Sequence, residues 1–162
     1  MKYKSVNEIE KFSFEDCMIN KFEVTDDMLC LELEALIVKL DNSQNTNYTE
    51  SYAGTTEVRL MGGRVISGIK DGYRYYNAND ELIKETPDEP LTEEQILELT
   101  KICEGAYLFS MVKKEETDNQ YFYFVGIEFA DEENMMSDSY QLEVAFEKAV
   151  FEWDFYMNRV QR

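Results

Sequence analysis

The sequence predicts an α+β protein that is mostly antiparallel β, with about eight or nine strands in a curved or barrel-like sheet and one clear helix near 93–104. Three observations carry this reading. Short stretches of alternating apolar and polar residues recur along the chain, the period expected of half-buried strands. Turn signals separate several of them, with Gly62-Gly63 and Ala78-Asn79-Asp80 the plainest. Only one stretch combines helical periodicity with matching start and stop signals.

In chain order, residues 12–40 read as a hairpin. Its first arm, 17–24, carries Cys17 and Ile19 and then Phe22 and Val24 one step out of phase; Thr25-Asp26-Asp27 supplies the turn. The second arm places Leu29, Leu31, Leu33, Ala35 and Ile37 on one face. Cys30, Glu32 and Glu34 begin the other face, but Leu36 and Val38 end it apolar, so that end should be buried on both sides. Residues 41–47 (DNSQNTN) are a polar loop, because Asn and Asp satisfy backbone groups in turns. Strands at 48–60 and 64–70 follow, joined as a hairpin through Gly62-Gly63. A second hairpin, 73–77 with 82–86, ends at an acidic break bracketed by Pro87 and Pro90.

The helix has Thr92 as N-cap and Gln95 at N3, the two halves of a capping box, with Leu91 and Ile96 placed for a hydrophobic staple. Ile96, Leu99, Ile102 and Cys103 form its apolar stripe, and Gly105 fits the stop. Strands at 106–112 and 121–129 are separated by the charged loop 113–120 (KKEETDNQ). The terminal stretch 138–162 has two readings. As helix, Leu142, Ala145, Phe146, Ala149, Val150, Trp153, Met157 and Val160 make one stripe. As strand, Leu142, Val144 and Phe146 alternate, then Phe151, Trp153 and Phe155 alternate after a slip near Glu147-Lys148. The strand reading gives every large apolar group an inward place, provided a bulge or turn absorbs the slip. The same stretch echoes 28–40: Leu29, Leu31, Leu33, Ile37 and Leu40 align with Leu142, Val144, Phe146, Val150 and Trp153.

A chain of 162 residues with 44% hydrophobic residues, 14% aromatics and two prolines suits one folded domain spanning 1–162. No apolar run approaches the ~20 residues of a membrane helix, and the charged start MKYKSVNEIEKF lacks a signal peptide's apolar core, which reads as cytoplasmic. The net charge of −18 disfavours nucleic acid and anionic membranes as partners; a basic protein is the partner such a field would steer in.

The chain has no histidine, which removes Ser-His-Asp and Cys-His activation and histidine metal ligation. Cys17, Cys30 and Cys103 are widely spaced and read as small buried hydrophobes, so no metal site and no cofactor is expected. Asn77 to Glu81 starts like a calcium loop but has Leu82 where glycine is required, and it reads as a β-turn. Asp131, Glu132, Glu133 and Asn134 read as a solvated acidic loop. The 34 acids offer so many pairs that none marks an acid–base catalyst, and no catalytic residue is assigned. The balance is against an enzyme. The aromatics are the remaining candidates, because rings with polar tips favour interfaces and pockets: Tyr73, Tyr75, Tyr123 and Trp153 are the expected ligand-binding set.

Gln44-Asn45, Ser51-Tyr52-Ala53-Gly54, Gly72-Tyr73, Tyr76-Asn77-Ala78-Asn79-Asp80, Ser139-Tyr140-Gln141-Leu142 and Trp153 with Tyr156-Met157-Asn158-Arg159 are scattered over most of the chain. In these the sequence resembles an uncharacterised family of small acidic proteins from anaerobic Gram-positive bacteria, some labelled "subtilin biosynthesis sensor protein". The resemblance brings no catalytic residues. A sensor kinase needs a phospho-accepting histidine and a glycine-rich nucleotide pocket, and this chain has neither. The expected function is therefore a non-catalytic cytosolic interaction protein with an acidic, tyrosine-rich surface, binding a basic protein or forming a homodimer. A small-ligand-binding barrel and a histidine-free acid-pair enzyme are the alternatives.

Overall fold

The computed structural model describes residues 2–131 and 136–161, with the side chains of 131, 136 and 137 left aside. Strand β1 (Tyr3–Val6) leads through a single 3-10 turn, η1 (Ile9–Lys11), into the short β2 (Phe12–Ser13). The hairpin β3 (Met18–Val24) and β4 (Met28–Glu34) follows, then β5 (Ile37–Val38), β6 (Ser51–Ala53), β7 (Thr56–Met61) and β8 (Arg64–Lys70). A ribbon comes next: β9 (Tyr73–Tyr76), β10 (Leu82–Thr86) and β11 (Glu89–Pro90). The helix α1 (Glu93–Ile102) precedes β12 (Tyr107–Glu116), β13 (Tyr121–Asp131), β14 (Met136–Phe146), β15 (Lys148–Trp153) and β16 (Tyr156–Arg159). The fold is thus α+β and mostly antiparallel, with more and shorter strands than the eight or nine expected, because bends divide several runs.

Ten strands pair in the order β1-β15-β7-β4-β3-β12-β13-β14-β8-β11. Its ends, β1 and β11, do not pair with each other, so the sheet is curled and is not a closed barrel. Two smaller sheets accompany it, β16-β6-β5-β2 and the β9-β10 pair.

The curl comes from two strands that carry on through a bend. β14 pairs with β8 and β13 and then, past Glu147, continues as β15 against β7 and β1. Leu142, Val144 and Phe146 face the core before the bend; Ala149, Phe151 and Trp153 face it afterwards. The one-residue phase slip read at Glu147-Lys148 is this bend, and the strand reading holds through Trp153; Phe155, expected inward, falls between β15 and β16 and is 56% exposed. β7 and β8 form the matching pair. Gly62 and Gly63 do not close a hairpin, because β7 and β8 run along one continuous partner, from Glu152 back to Tyr140. Gly62 has φ +67, and a Cβ there would lie 2.8 Å from the Glu147 carboxyl carbon, so the two bends need each other's space.

The echo between 28–40 and the terminal stretch is structural over most of its length. Leu29, Leu31 and Leu33 face the core and then, after Ala35 at φ 57, Leu36 and Val38 do. The slip falls at the place equivalent to that between Phe146 and Ala149. It fails at its end: Leu40 is 60% exposed, whereas Trp153 is fully buried. In β3, the early phase shift is a bulge between Ile19 and Lys21.

One cluster of buried side chains fills the curl and extends under α1 and the four-stranded sheet β16-β6-β5-β2. Trp153 lies within it, beside Phe12, Tyr3 and Tyr156, while Phe12 stacks on Phe151 at 4.5 Å. Loop 41–47 closes that end through its asparagines. Asn45 donates to the carbonyls of Val38, Lys39 and Thr49, and its Oδ1 accepts from the Asn47 amide at 2.9 Å. At the helix, the capping box of Thr92 and Gln95 is complete in both directions. Ile96 and Leu99 are buried, and the side chains of Leu91 and Ile96 both reach Gly68. The predicted stripe errs at Ile102, which is 54% exposed: at 3.6 residues per turn Ile96, Leu99, Thr100 and Cys103 share the buried face and Ile102 lies off it.

Candidate functional site

Among the described residues, two places outside the core set several aromatic rings beside charged groups. The first is the β9-β10 ribbon. Its base is fixed where β11 pairs with β8, Glu89 opposite Lys70 and Pro90 opposite Ile69, and where Ser139 Oγ donates to Asp71 at 2.7 Å. Beyond the base the chain passes Gly72, whose amide donates to Asp88 Oδ1 at 2.7 Å. A Cβ on Gly72 would meet the Thr86 carbonyl oxygen at 2.0 Å, so only glycine lets the strands cross so closely there. The turn at the tip is built by Asn77, whose Oδ1 accepts from the amides of Asn79 and Glu81, with Asp80 at φ 60.

Among the described residues β9 and β10 pair only with each other, so both outer edges carry unpaired backbone groups. Their side chains are unusually apolar for so open a ribbon. Tyr75, Tyr76, Leu82 and Ile83 are 39%, 54%, 49% and 66% exposed. Tyr73 and Tyr75 meet edge to face at 5.2 Å, and Lys84 Nζ lies 5.9 Å from the Tyr75 ring centre. Arg74 pairs with Glu85 at 2.9 Å. A shallow depression of about 570 Å3 on the ribbon is lined by Tyr73, Arg74, Tyr76, Glu85 and Asp88.

The second place is a cleft of about 240 Å3 where β12 separates from β3. These strands share one ladder pair, Tyr107 with Met18. Past it β12 runs on to Glu116 while the chain before β3 turns away as η1, leaving Ile9 and Glu10 across from β12. A register shift between Lys113 and Glu115 brings Lys113 and Glu116 to one side, where their charges meet at 2.8 Å. Tyr121, Tyr123 and Phe146 form the aromatic wall, and Tyr123 donates to Glu10 Oε1 at 2.5 Å. Burial, and then this bond to Glu10, hold the Tyr123 hydroxyl proton on well above the usual tyrosine range. Lys113 Nζ stands 5.6 Å from the centre of the Tyr121 ring. Its bond to Glu116 raises its pKa, with Glu10 and Tyr121 adding smaller contributions.

The four aromatic residues singled out in the sequence are therefore not one pocket. Tyr73 and Tyr75 are together on the ribbon; Tyr123 is in the cleft. Trp153 is in the core because it shares the inward phase of Phe151, and it lines neither place. Its buried indole N–H makes no full hydrogen bond, although it lies near enough to Tyr156 to offset part of the rise in that tyrosine's pKa caused by burial and by Tyr3. Sequence reasoning left Tyr121 out of the ligand-binding set and missed Glu10, Lys113 and Glu116. Tyr121 was accessible as the same-face neighbour of Tyr123; the others depend on the register shift and on η1.

Acidic side chains gather on the outer face of the sheet. One cross-strand row reads Lys21, Glu32, Glu57, Glu152 and Lys4, with three carboxylates side by side. Like charges in directly opposed positions cost stability. Arg59 relieves part of that cost at 2.9 Å from Glu152. Cys17 and Cys103 are fully buried, and burial pushes their thiols up to about 12 and about 11. Cys30 is half-buried on the outer face, and its thiol is raised by burial and by Glu23. Among the described residues no three acidic or thiol side chains converge as a metal would require. No described helix is long and apolar enough to cross a membrane. The acidic run at 131–134 lies outside the described residues except for the backbone of Asp131.

No model of a known protein family matches this chain, nor does any curated protein or solved structure.

Proposed function

We propose that this is a non-catalytic interaction protein that takes a basic segment of a partner protein along the β9-β10 ribbon. The observation that carries the reading is the ribbon itself: two free strand edges beside exposed Tyr75, Tyr76, Leu82 and Ile83, in a chain of net charge −18. An extended partner strand adds to such an edge through backbone hydrogen bonds, and alternate side chains supply the selectivity. The overall field favours lysine and arginine at the outward positions of that strand and repels a second copy of this chain. Apolar groups at its inward positions cover Tyr75 and Ile83.

The test is a titration of the labelled protein with an alternating lysine–valine nonapeptide, followed by backbone amide NMR. Shifts should centre on 73–86 and disappear in a Tyr75→Ser, Ile83→Ser double variant, whose sites are exposed enough to leave the fold intact. An alternating glutamate–valine peptide should give none. Shifts centred elsewhere, or unchanged in the double variant, rule the ribbon out as the binding element.

A further inference from the structure

The cleft between β12 and η1 has a composition that the ribbon reading does not use. Its accessible ring is the half-buried Tyr121, packed on Phe146, which is buried together with Tyr123; the carboxylates of Glu10 and Glu116 also line it, and its volume is about 240 Å3. Aromatic faces and carboxylates share a preference for one kind of guest, an organic cation. The protein already places such a group there, since the Lys113 ammonium sits at the Tyr121 ring and on Glu116. We propose that the cleft is a binding site for a small primary ammonium ion, and that Lys113 is a tethered occupant which the ligand displaces.

Three features make the exchange feasible. Lys113 is held at the rim, with 39% of its side chain exposed, so it can swing into water without disturbing the core. The cleft's volume of about 240 Å3 leaves room for a short alkyl chain behind the ammonium. Tyr123 stays locked on Glu10, which keeps one carboxylate oriented towards the cleft while Glu116 changes partner. A tyrosine hydroxyl that donates to a carboxylate leaves that carboxylate's remaining lone pairs available to a second donor.

The test uses propylammonium as probe and 1-propanol as its uncharged counterpart, at constant ionic strength, with binding read from the tyrosine ring resonances and by calorimetry. Wild type should bind propylammonium weakly. Lys113→Ala removes the competitor, whose ion pair and ring contact together are worth about a tenfold factor, and should bind about tenfold more tightly. Adding Tyr121→Ala or Glu116→Gln to that variant should undo the gain. A Lys113→Met variant, which keeps the stem but not the charge, separates loss of the cation from loss of bulk and should also bind more tightly than wild type. Equal affinities for wild type and Lys113→Ala, equal binding of propanol, or shifts away from Tyr121 and Tyr123 would overturn the proposal.

Discussion

Alkaline pH should unfold this protein over a narrow range, and its two buried thiols should set the steepness. Cys17 and Cys103 are both fully buried. Burial lifts the Cys17 thiol from an ordinary 9.0 to about 12, and lifts that of Cys103 from 9.0 to about 11 against a small opposing contribution from a backbone hydrogen bond. In each case the folded pKa lies above the unfolded one, so the folded state holds the proton more tightly. The associated stability is fully present below pH 9 and is lost as pH rises through the folded values. Each group then costs about 1.4 kcal/mol per pH unit. Two groups acting together between pH 9 and 11 remove on the order of 5 kcal/mol, and Cys17 alone adds roughly 1 kcal/mol more by pH 12. Tyr156, pushed up to about 12, and Tyr123, raised mainly by burial, steepen the fall above pH 10. A loss of that size equals the whole stability of many domains, roughly 5–15 kcal/mol. Urea unfolding followed by fluorescence of the single buried Trp153, at half-unit steps from pH 8 to 11, measures the slope directly. A Cys17→Ala, Cys103→Ala double variant shares every surface charge with wild type, so the comparison cancels general repulsion. The variant should start less stable, because two small core groups are lost, yet decline far more slowly between pH 9 and 10. If the two proteins lose stability with the same slope, the thiols do not control the transition and the argument fails.

Gly72→Ala should detach the ribbon without unfolding the sheet, because its Cβ has no place beside the Thr86 carbonyl oxygen at 2.0 Å. Amide exchange across 73–86 should accelerate while that of β13 and β14 stays slow; protection retained on the ribbon would contradict the close crossing. Thr92→Ala removes the acceptor for the Gln95 amide and should cost about 1 kcal/mol, seen as a fall of a few degrees in Tm. An unchanged Tm would mean that the helix end does not limit stability. Raising salt from low concentration to about 0.5 M should raise Tm at pH 7, since screening relieves repulsion among charges such as the facing Glu32, Glu57 and Glu152. A falling Tm would mean that the attractive pairs outweigh the repulsive ones.

Local chemistry was readable in the sequence, and long-range partnership was not. The capping box at Thr92 and Gln95 is set by four consecutive residues. Asn45 anchors its loop with its own side chain, and the slip between Phe146 and Ala149 is forced by which positions are apolar. Each of these is fixed within a few residues. Gly62-Gly63 shows the opposite case. A two-residue hairpin and a bend in a through-going strand both call for glycine and a positive φ. What separates them is that residues 140–152, far along the chain, pair with both sides of the bend. The cleft was illegible for the same reason, since Glu10 of η1 meets the β12-β13 hairpin that carries Lys113 and Tyr121 only where β12 parts from β3. Choosing Tyr73, Tyr75, Tyr123 and Trp153 by residue type combined three environments. Strand phase alone already set Trp153 inward with Phe151.

The charge of −18 bears on the ribbon and the cleft alike, and this decides how they can be told apart. A field of this sign gathers any cation near the surface and speeds its arrival, but beyond about 8 Å at physiological salt it is screened. Salt sensitivity therefore marks a basic partner and a small ammonium ion equally, and cannot assign either to its place. Contact at Tyr75 and Ile83, or at Tyr121 and Tyr123, acts over a few ångströms and governs departure more than arrival. For the ribbon, substitutions of Tyr75 and Ile83 should shorten the lifetime of the complex while leaving its association rate nearly constant. Neutralising acids on the outer sheet face, such as Glu57, should slow association and leave the lifetime nearly unchanged. A partner whose lifetime responded to Glu57 and not to Tyr75 would sit on the carboxylate row, and the ribbon would then be a bystander.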